Sequence, residues 1–521
     1  MVKPSHTFTF FSVLLVMLLV LSLTFPKDGI ELSKDVTLLF PEFNSWLAAG
    51  IKKQPKNDSV LNLVDNDLSI IEEDTMKYVE SEMVDSSVFE FKPRAIMTDS
   101  IRQPLELPSS GLACLEGLFQ ALTNPDELKR IVRIMHYGDS QIETDRITGY
   151  LRYKLQQQFG GSGPGLIPAK TAYDYTSPCK VVNFGDWKRY TIFPKIDTAV
   201  GHSRYGVLAA FSMFGPLRPK KVETPQVVPD SVAFEDSILV MNKLAESIQP
   251  EEPKQVHTGV VQFIPSSVSR SNVKTIKKCR LIYGNTDQEC DVQVFDGDNL
   301  LFTDNLKPSE FYTTRLWNFS ETPANLKIEF SSTQSPEIYG FAMDGLSGIA
   351  VDNIALRGCS GTIFTKMNGK MLAQMYNEFN VKCLILQFGG NAVPSLNPDN
   401  VGNFVSAFAS QIRYIKKLCP KMSIIVVGPA DMSKKVQDQY ETYEVLPILV
   451  EKMKASALNN GCAFWDMYAA MGGKNTMPDW VYHEPALAEK DFVHFTPNGA
   501  NVMARMLYSA IIARYNQFIK K

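Results

Sequence analysis

Short apolar runs alternate with longer amphipathic segments after residue 350, and this alternation limits the possible folds more than any other feature of the sequence. Three runs have the length and apolar content of buried strands, and they are 381–388, 422–427 and 462–465. Three segments have the apolar spacing of helices, and they are 404–418, 440–458 and 497–518. Strands that alternate with helices form a parallel sheet covered on both faces. The C-terminal third is therefore predicted to be an α/β structure.

A strand and a helix of the same kind lie much earlier in the chain. The run 130–137 predicts a buried strand that ends at Gly138, and residues 145–159 have helical spacing. We predict that residues 96–169 and 351–521 form one α/β domain, because together they have the size of a single domain.

The sequence between these two pieces has a different character. Short strand-like runs recur there, separated by clusters of Gly, Asn, Asp and Pro, and the clearest are 260–263, 279–283, 291–295 and 327–330. Long helical segments are absent from this stretch of sequence. We therefore predict an all-β sandwich over residues 170–350 that interrupts the α/β domain.

The N-terminal segment predicts export from the cytoplasm. The residues between Lys3 and Lys27 carry no formal charge, and their apolar run is long enough to cross a bilayer core of about 30 Å. We favour an uncleaved transmembrane helix over residues 1–26, which would make the membrane a partner, because no Ala-x-Ala pattern follows the apolar run. The alternative is a cleaved signal segment. The acidic residues 27–95 are predicted to be a loosely ordered tether with a short helix or two.

Charge and ligand content argue against two classes of function. Lys and Arg number 53 and Asp and Glu number 56, so a net charge of −3 gives no general basic surface for nucleic acid. The six His and eight Cys show neither His-x-x-x-His nor Cys-x-x-Cys spacing, so no metal and no other cofactor is expected. Cys279 and Cys290 are close enough for a disulfide across a hairpin, but buried free thiols are the simpler interpretation of the eight cysteines.

A serine follows the first predicted strand. The sequence Gly138-Asp139-Ser140-Gln141 lies between that strand and the helix 145–159. Open α/β sheets place their sites at the carboxyl ends of strands, and an amide near a helix N-terminus suits a developing oxyanion. By itself the turn is explained at least as well by a simple helix cap.

Two further segments carry groups that would complete such a site. Asn391 follows two glycines at the end of the strand 381–388 and offers a neutral side-chain donor. Asp491 lies three residues before His494, in the segment that precedes the last helix. A carboxylate at this spacing can fold back and hold the imidazole in one tautomer, so that the other ring nitrogen faces a nucleophile. Taken singly, each segment is also explained as a turn or a structural histidine.

Together the three segments resemble the SGNH, or GDSL-type, esterase/lipase family. Ser140 matches the serine of the family's first block, Asn391 the asparagine of its third, and Asp491 and His494 the pair of its fifth. The resemblance covers the two α/β pieces and implies a flavodoxin-like three-layer sandwich. It also implies a catalytic triad of Ser140, His494 and Asp491.

The resemblance further implies an oxyanion hole built from the Ser140 amide, a glycine amide of the second block and the Asn391 side chain. Gly358 is the best match for that glycine and Gly361 is the alternative, since spacing does not separate them. Gln141 stands where the family name has Leu, at a position that varies widely in the family.

The layout resembles a narrower group, the bacterial peptidoglycan O-acetylesterases in which a β-sandwich similar to a carbohydrate-binding module lies between the first and second blocks. This resemblance implies an acylated glycan as substrate and a location facing the periplasm, either anchored in the inner membrane or free if residues 1–26 are removed. Four aromatic side chains of the β segment are candidates for stacking on sugars, although core packing is the simpler role for most, and they are Tyr173, Tyr175, Trp187 and Tyr190.

Three hypotheses for function follow. The first is a serine esterase that removes O-acyl groups, most plausibly acetyl, from a cell-envelope carbohydrate. The second is an envelope O-acetyltransferase that uses the same triad and takes its acyl group from a membrane partner. The third is a non-catalytic glycan-binding protein, which the joint presence of Ser, Asn, Asp and His argues against.

Overall fold

The computed structural model describes residues 4–24, 26, 30–33, 36–38, 61, 64–72, 95–96, 101–217 and 255–521. The chain divides into two compact units, Met1–Leu61 and Asn62–Lys521. Most of the predicted tether lies outside the described residues.

In the first unit, the described residues form one helix and a small antiparallel pair of strands. The elements are α1 (Pro4–Thr24), β1 (Ile30–Ser33) and β2 (Val36–Leu38). The predicted transmembrane segment coincides with α1. Among the described residues, however, no helix combines the length and the apolar character that crossing a membrane requires, so the predicted span is not supported.

The second unit contains the remaining elements. Before the long β-rich stretch come two short helices, one strand and a longer helix: α2 (Glu116–Thr123), α3 (Pro125–Leu128), β3 (Ile131–Gly138) and α4 (Thr148–Phe159). The described residues of the β-rich stretch, which leave out 218–254, form eleven strands and one helical turn: β4 (Gly165–Ile167), β5 (Cys179–Gly185), β6 (Lys188–Thr191), β7 (Ala210–Met213), β8 (His257–Pro265), α5 (Ser271–Lys274), β9 (Lys278–Thr286), β10 (Cys290–Asp296), β11 (Asn299–Leu306), β12 (Ser309–Asn318), β13 (Leu326–Ser332) and β14 (Glu337–Asp344).

After this stretch the chain alternates between strands and helices again. The elements are β15 (Gly348–Ala355), α6 (Gly369–Glu378), β16 (Val381–Gln387), α7 (Val401–Leu418), β17 (Ser423–Val427), β18 (Ser433–Val436), β19 (Gln439–Thr442), α8 (Val445–Asn459), β20 (Ala463–Trp465), α9 (Met467–Met471), α10 (Met477–Val481) and α11 (Pro497–Ile519).

A five-stranded parallel sheet in the order β15-β3-β16-β17-β20 forms the centre of the α/β part. Its strands are buried on both faces, because residues of one strand alternate between two hydrophobic clusters. Ile134 packs with α2, α4 and α11 on one face, and Tyr137 packs with α6, α7 and α8 on the other. The predicted parallel α/β sheet with helices on both sides is therefore confirmed.

Two antiparallel sheets occupy the stretch between α4 and β15. One has the order β11-β10-β13-β8-β5, the other β12-β9-β14-β7-β6, and β4 pairs with β14. The change of sheet occurs close to the predicted boundaries: β4 begins at Gly165 and β15 joins the parallel sheet at Gly348. Buried side chains from both antiparallel sheets form a hydrophobic cluster of their own.

The antiparallel region and the α/β region also share a core. Tyr190, Phe211 and Tyr339 belong to the same hydrophobic cluster as Tyr137 and the helices α6 and α7. The Tyr137 hydroxyl donates to the Val207 carbonyl over 2.8 Å. The two regions are therefore packed together and are not separate lobes joined by a linker.

The hairpin-bridging disulfide that was considered for Cys279 and Cys290 is absent, and all eight cysteines are free. The reason is topological, since β9 and β10 follow each other in sequence but lie in different sheets. Both thiols are buried, and burial raises their pKa values. The simpler interpretation, free buried thiols, holds for five of the eight cysteines, and the other three are free but partly exposed.

One local prediction was wrong. The helix predicted over 440–458 begins only at Val445, because the preceding residues form the hairpin β18–β19. Within the predicted tether, residues 64–72 form a short helix, as the prediction allowed, and its side chains Val64, Leu68 and Ile71 are buried in the cluster that includes α11.

Candidate active site

Ser140 lies at the carboxyl end of β3, in a tight turn. Asp139 caps the short 3₁₀ helix Ser140–Asp145 by accepting a hydrogen bond from the Gln141 amide over 3.0 Å. A side chain at Gly138 would approach Ile142 and the Gln387 carbonyl to about 3 Å, so this position favours glycine. These constraints fix the backbone of the turn at Ser140, and so the position of its side chain.

The segment before α11 folds back on itself as predicted from its spacing. One Asp491 carboxylate oxygen accepts from the backbone amides of Val493 and His494, over 2.9 and 3.0 Å. The other lies 2.7 Å from His494 Nδ1. Phe492 has a φ of +59°, which lets the chain reverse between the carboxylate and the imidazole.

The serine and the histidine meet across the edge of the sheet. Ser140 Oγ lies 2.8 Å from His494 Nε2. Because Asp491 accepts at Nδ1, that nitrogen carries the ring proton, and the unprotonated Nε2 accepts from the Ser140 hydroxyl. The structure thus brings the three predicted triad residues into one hydrogen-bonded line.

The charge on Asp491 is favoured by its contacts. Partial burial would raise the pKa of this carboxyl, but hydrogen bonds from the backbone and the ring of His494 and from the Val493 amide hold it below its usual range. Asp491 is therefore ionised at neutral pH and can stabilise a protonated imidazole.

Asn391 lies at the end of the neighbouring strand β16. The register pairs Gly138 with Gln387 of β16 and with Ala355 of β15, so the three strands end at the same edge. The Asn391 Nδ2 group donates to the Cys359 carbonyl over 3.3 Å. It lines the same cavity as Ser140 and His494.

Asp139 is the buried carboxylate of this site. It is 4% exposed, and burial raises its pKa to about 6, against the lowering effects of the Gln141 amide, the charge of His494 and a hydrogen bond from the Asn391 side chain. Asp139 therefore connects the serine turn to the asparagine. Asp139 belongs to the predicted turn motif, but no sequence signal pointed to its contact with Asn391.

The two candidate glycines differ in their surroundings. The Gly361 amide donates to Cys359 Sγ over 3.3 Å, and a side chain there would overlap the Phe388 ring. Gly358 is exposed, with a φ of +78°, three residues beyond the end of β15. Neither Gly358 nor Gly361 lines the cavity between Ser140 and Asn391, and the Gly361 amide is already bound to Cys359.

The cavity beside the serine has a volume of about 220 Å³. Its polar side is formed by Ser140, Asn391 and His494. Its other side is mostly apolar and is lined by Pro394, Pro429, Met432, Tyr443 and Met467. A cavity with one apolar wall and a few converging polar groups is typical of a small-molecule site.

The side chains of two further residues form hydrogen bonds that join the serine turn to the histidine segment. Gln141 contacts the backbone on both sides of His494. Arg146 donates to the Ser140 carbonyl over 2.7 Å and to the Phe495 carbonyl over 3.2 Å. Gln141 was visible in the sequence as a departure from the family motif, whereas no sequence signal pointed to Arg146.

The four aromatic candidates of the β segment separate into two groups. Trp187 and Tyr190 are buried core residues. The Tyr175 hydroxyl donates to Glu143 over 2.5 Å, and Tyr173 is 46% exposed, with the guanidinium of Arg357 at 3.9 Å from its ring centre.

Within the parts of the chain that the structure describes, no group of three or more His, Cys, Asp or Glu side chains is arranged to hold a metal ion.

Comparison with known structures gives the fold independently of these residues. A structure of a peptidoglycan O-acetylesterase has a TM-score of 0.56 at 16% identity, over 79% of this chain and 99% of that one. A family two carbohydrate esterase from Cellvibrio japonicus matches at 9% identity and a TM-score of 0.23, over 51% and 93% of the two chains. A Bacteroides ovatus protein described as a GDSL-like lipase matches at 9% identity and a TM-score of 0.21, over 50% and 87%.

No family model and no curated protein sequence matches the chain. The similarity to the first of these structures extends over almost the whole of that protein and over most of this chain. At an identity of 16%, this similarity shows the fold. In fold, the chain resembles the peptidoglycan O-acetylesterase of the first structure.

Proposed function

We propose that this protein is a serine esterase that removes O-acyl groups, in the first place acetyl groups, from a carbohydrate. The observation that carries the proposal is the line from Ser140 Oγ to His494 Nε2 and from His494 Nδ1 to Asp491, with distances of 2.8 and 2.7 Å. Ser140 and His494 border a cavity, and Asn391 borders the same cavity. The similarity in fold to a peptidoglycan O-acetylesterase supports the choice of ester hydrolysis.

The first half of the proposed reaction forms an acyl-enzyme. Ser140 Oγ attacks the ester carbonyl while its proton passes to His494 Nε2, and the carbonyl π electrons move onto oxygen. Asp491 stays ionised and stabilises the imidazolium. As the C–O bond to the sugar breaks, the imidazolium gives its proton to the departing sugar oxygen.

The second half repeats the same steps with water. His494 takes a proton from a water molecule, the resulting hydroxide attacks the acyl carbonyl, and Ser140 Oγ leaves with the proton from His494. The carboxylic acid product then departs. In both halves negative charge develops on the former carbonyl oxygen, where the Ser140 amide, the Gly358 amide and the Asn391 side chain are proposed to donate.

The cavity suits the apolar end of an acyl group. Its wall is formed by proline, methionine and tyrosine side chains, and its volume of about 220 Å³ accepts an acetyl group and longer chains as well. The sugar would lie outside this cavity. Next to Gly358, the exposed Tyr173 ring and the Arg357 guanidinium above it offer a surface for its ring face.

The predictions about the glycan substrate, the location and the membrane attachment are part of this proposal. A cell-envelope glycan as substrate and an exported, periplasmic location rest on the apolar N-terminal sequence and on the family resemblance. Attachment to the membrane rests on that sequence alone. A membrane acyl donor would be needed only for the transferase alternative, and no described contact favours that alternative.

The test uses the full-length chain and an O-acetylated oligosaccharide. Acetate release is measured with and without a second, unacetylated oligosaccharide, and Ser140→Ala serves as the control. The esterase is supported if acetate release depends on Ser140 and is unchanged by the second sugar. Transfer of acetyl to the second sugar would show a transferase instead of an esterase. Equal acetate release by Ser140→Ala would refute the assignment of Ser140 as the nucleophile.

A further inference from the structure

We infer that Gln141 is a positioning residue, which holds the backbone around His494 in place relative to Ser140. The inference rests on the proposed function, because it assigns Gln141 a task in the same reaction. It concerns the position at which this chain has glutamine where the name of the GDSL motif has leucine. Gln141 follows the serine directly, and its own amide is fixed by Asp139 over 3.0 Å.

The carboxamide of Gln141 binds the peptide groups on both sides of His494. Its Nε2 donates to the Val493 carbonyl over 2.5 Å, and its Oε1 accepts from the Phe495 amide over 3.4 Å. These two groups belong to the peptide units that flank the α-carbon of His494. One planar side chain therefore restrains both units at once, as a neighbouring strand would.

Other contacts hold the histidine segment together internally. Asp491 accepts from the backbone amides of Val493 and His494, and the Glu489 amide donates to the His494 carbonyl over 2.7 Å. These bonds keep the shape of the loop, and the Ser433 amide, which donates to the Phe492 carbonyl over 3.0 Å, holds the loop to the start of β18. The side chains of Gln141 and Arg146 join the loop to the serine turn itself.

A leucine would fill similar space but could neither donate nor accept. The Val493 carbonyl and the Phe495 amide would lose their side-chain partner, and the loop could move away from the serine turn. The line from Ser140 Oγ to His494 Nε2 is 2.8 Å long, so a displacement of about 1 Å would break it. Since a displacement of that size costs about 100-fold in rate, we expect a defect in turnover and not in substrate binding.

The experiment compares three variants of the full-length chain. Gln141→Leu removes the donor and the acceptor. Gln141→Glu keeps the shape and the acceptor but replaces the Nε2 donor that faces the Val493 carbonyl. Gln158→Leu is the matched control, since it makes the same change at a partly buried position on α4, away from the cavity. The measurements are kcat and KM on an aryl acetate, the rate of Ser140 labelling by a fluorophosphonate, and the melting temperature.

We expect kcat of Gln141→Leu to fall about 10- to 100-fold while KM changes little, and the labelling rate to fall in parallel. Gln141→Glu should also lose turnover, whereas Gln158→Leu should not. A folded Gln141→Leu or Gln141→Glu enzyme with wild-type kcat and labelling rate would overturn the inference, even if its melting temperature were lower. Ser140→Ala is measured in parallel: if it were inactive in that case, the proposed function would stand and the role of Gln141 alone would fall.

Discussion

The α/β region and the antiparallel region each contain a histidine paired with a carboxylate, and the two pairs differ in what faces the second ring nitrogen. In the α/β region His494 uses Nδ1 for Asp491 and Nε2 for Ser140. In the antiparallel region His202 Nε2 lies 2.7 Å from Glu337, and its Nδ1 accepts from the Arg204 backbone amide over 3.1 Å.

This difference separates a chemical arrangement from a structural one. Both nitrogens of His202 are used within the protein, so the ring has no lone pair to offer to a reacting group. Glu337 is also bound by Asn285 and by Tyr339, over 2.6 and 2.7 Å, which makes the pair part of a closed network. The pair was not expected from the sequence, because Glu337 lies far from His202 along the chain.

The largest effect is expected from removing each histidine in turn. His494→Ala should lower ester cleavage about a thousandfold or more, because it removes the general base of the triad. His202→Ala should retain turnover on a small aryl acetate, because His202 touches neither the nucleophile nor the cavity beside it. The measurement is kcat on preparations with matched circular dichroism spectra. If both variants lost activity equally, the distinction drawn between the two pairs would fail.

The second effect tests a single donor in the α/β region. Asn391→Ala should lower kcat about 100- to 1000-fold with little change in KM, because its amide donates most strongly when charge develops on the carbonyl oxygen. The backbone donors would remain, so the loss should be smaller than for His494→Ala. A variant that melts at a lower temperature but turns over normally would show that Asn391 merely supports the turn after β16.

The third effect concerns the buried carboxylate of the site. The pKa of Asp139 in the folded state is about 6, above the usual value of about 3.9 for an unfolded chain. The folded state therefore holds the proton more tightly, so this group's contribution to stability is greatest below pH 4 and is lost as the pH rises through 6. A shift of this size corresponds to about 3 kcal/mol at most.

Asp139→Asn removes this titration. The free energy of unfolding of the wild type relative to the variant should therefore decrease between pH 4 and pH 7, measured by urea titration at each pH. Other titrating groups, such as the buried Asp431, cancel in the difference. A difference that is constant over this range would contradict the assignment of a raised pKa to Asp139.

The sequence predicted the parallel sheet well because buried strands leave a continuous apolar signal. The predicted bounds lie within one residue of the observed ones for β3, β16, β17, β20 and α11. The hairpin β18–β19 was missed because its strands have only four residues each and are mostly polar, and because Tyr440 fits the helical spacing that continues into α8. Local spacing cannot show where a helix gives way to a hairpin of this length.

The parts of the site that could be predicted are those whose geometry follows from spacing along the chain or from the order of the strands. The bond between Asp491 and His494 follows from three residues of separation, and the register of β3 and β16 brings Asn391 to the same edge as Ser140. The contacts of Gln141 and Arg146 depend on where the segment before α11 crosses the edge of the sheet. That is a tertiary position, which the sequence alone does not specify.

The shared core also changes how the antiparallel region should be tested. Deleting residues 170–350 would expose the cluster in which Tyr190 and Phe211 pack against Tyr137 and α6, so the remainder would lose stability along with any substrate contact. A point substitution on the exposed surface avoids this loss. Tyr173, which is 46% exposed and lies under Arg357, is the suitable position.

The smallest effect is therefore expected from Tyr173→Ala. The variant should raise KM for an acetylated oligosaccharide about twofold to fivefold, which corresponds to roughly 0.5–1 kcal/mol for the loss of one exposed aromatic packing surface. It should leave kcat and KM for a small aryl acetate unchanged, because that substrate does not reach the ring. Tyr173→Phe keeps the ring and should behave like the wild type on both substrates. An equal loss on both substrates would mean that Tyr173 supports the active site through Arg357 and Glu143, and that the antiparallel region contributes to the reaction itself and not to the choice of substrate.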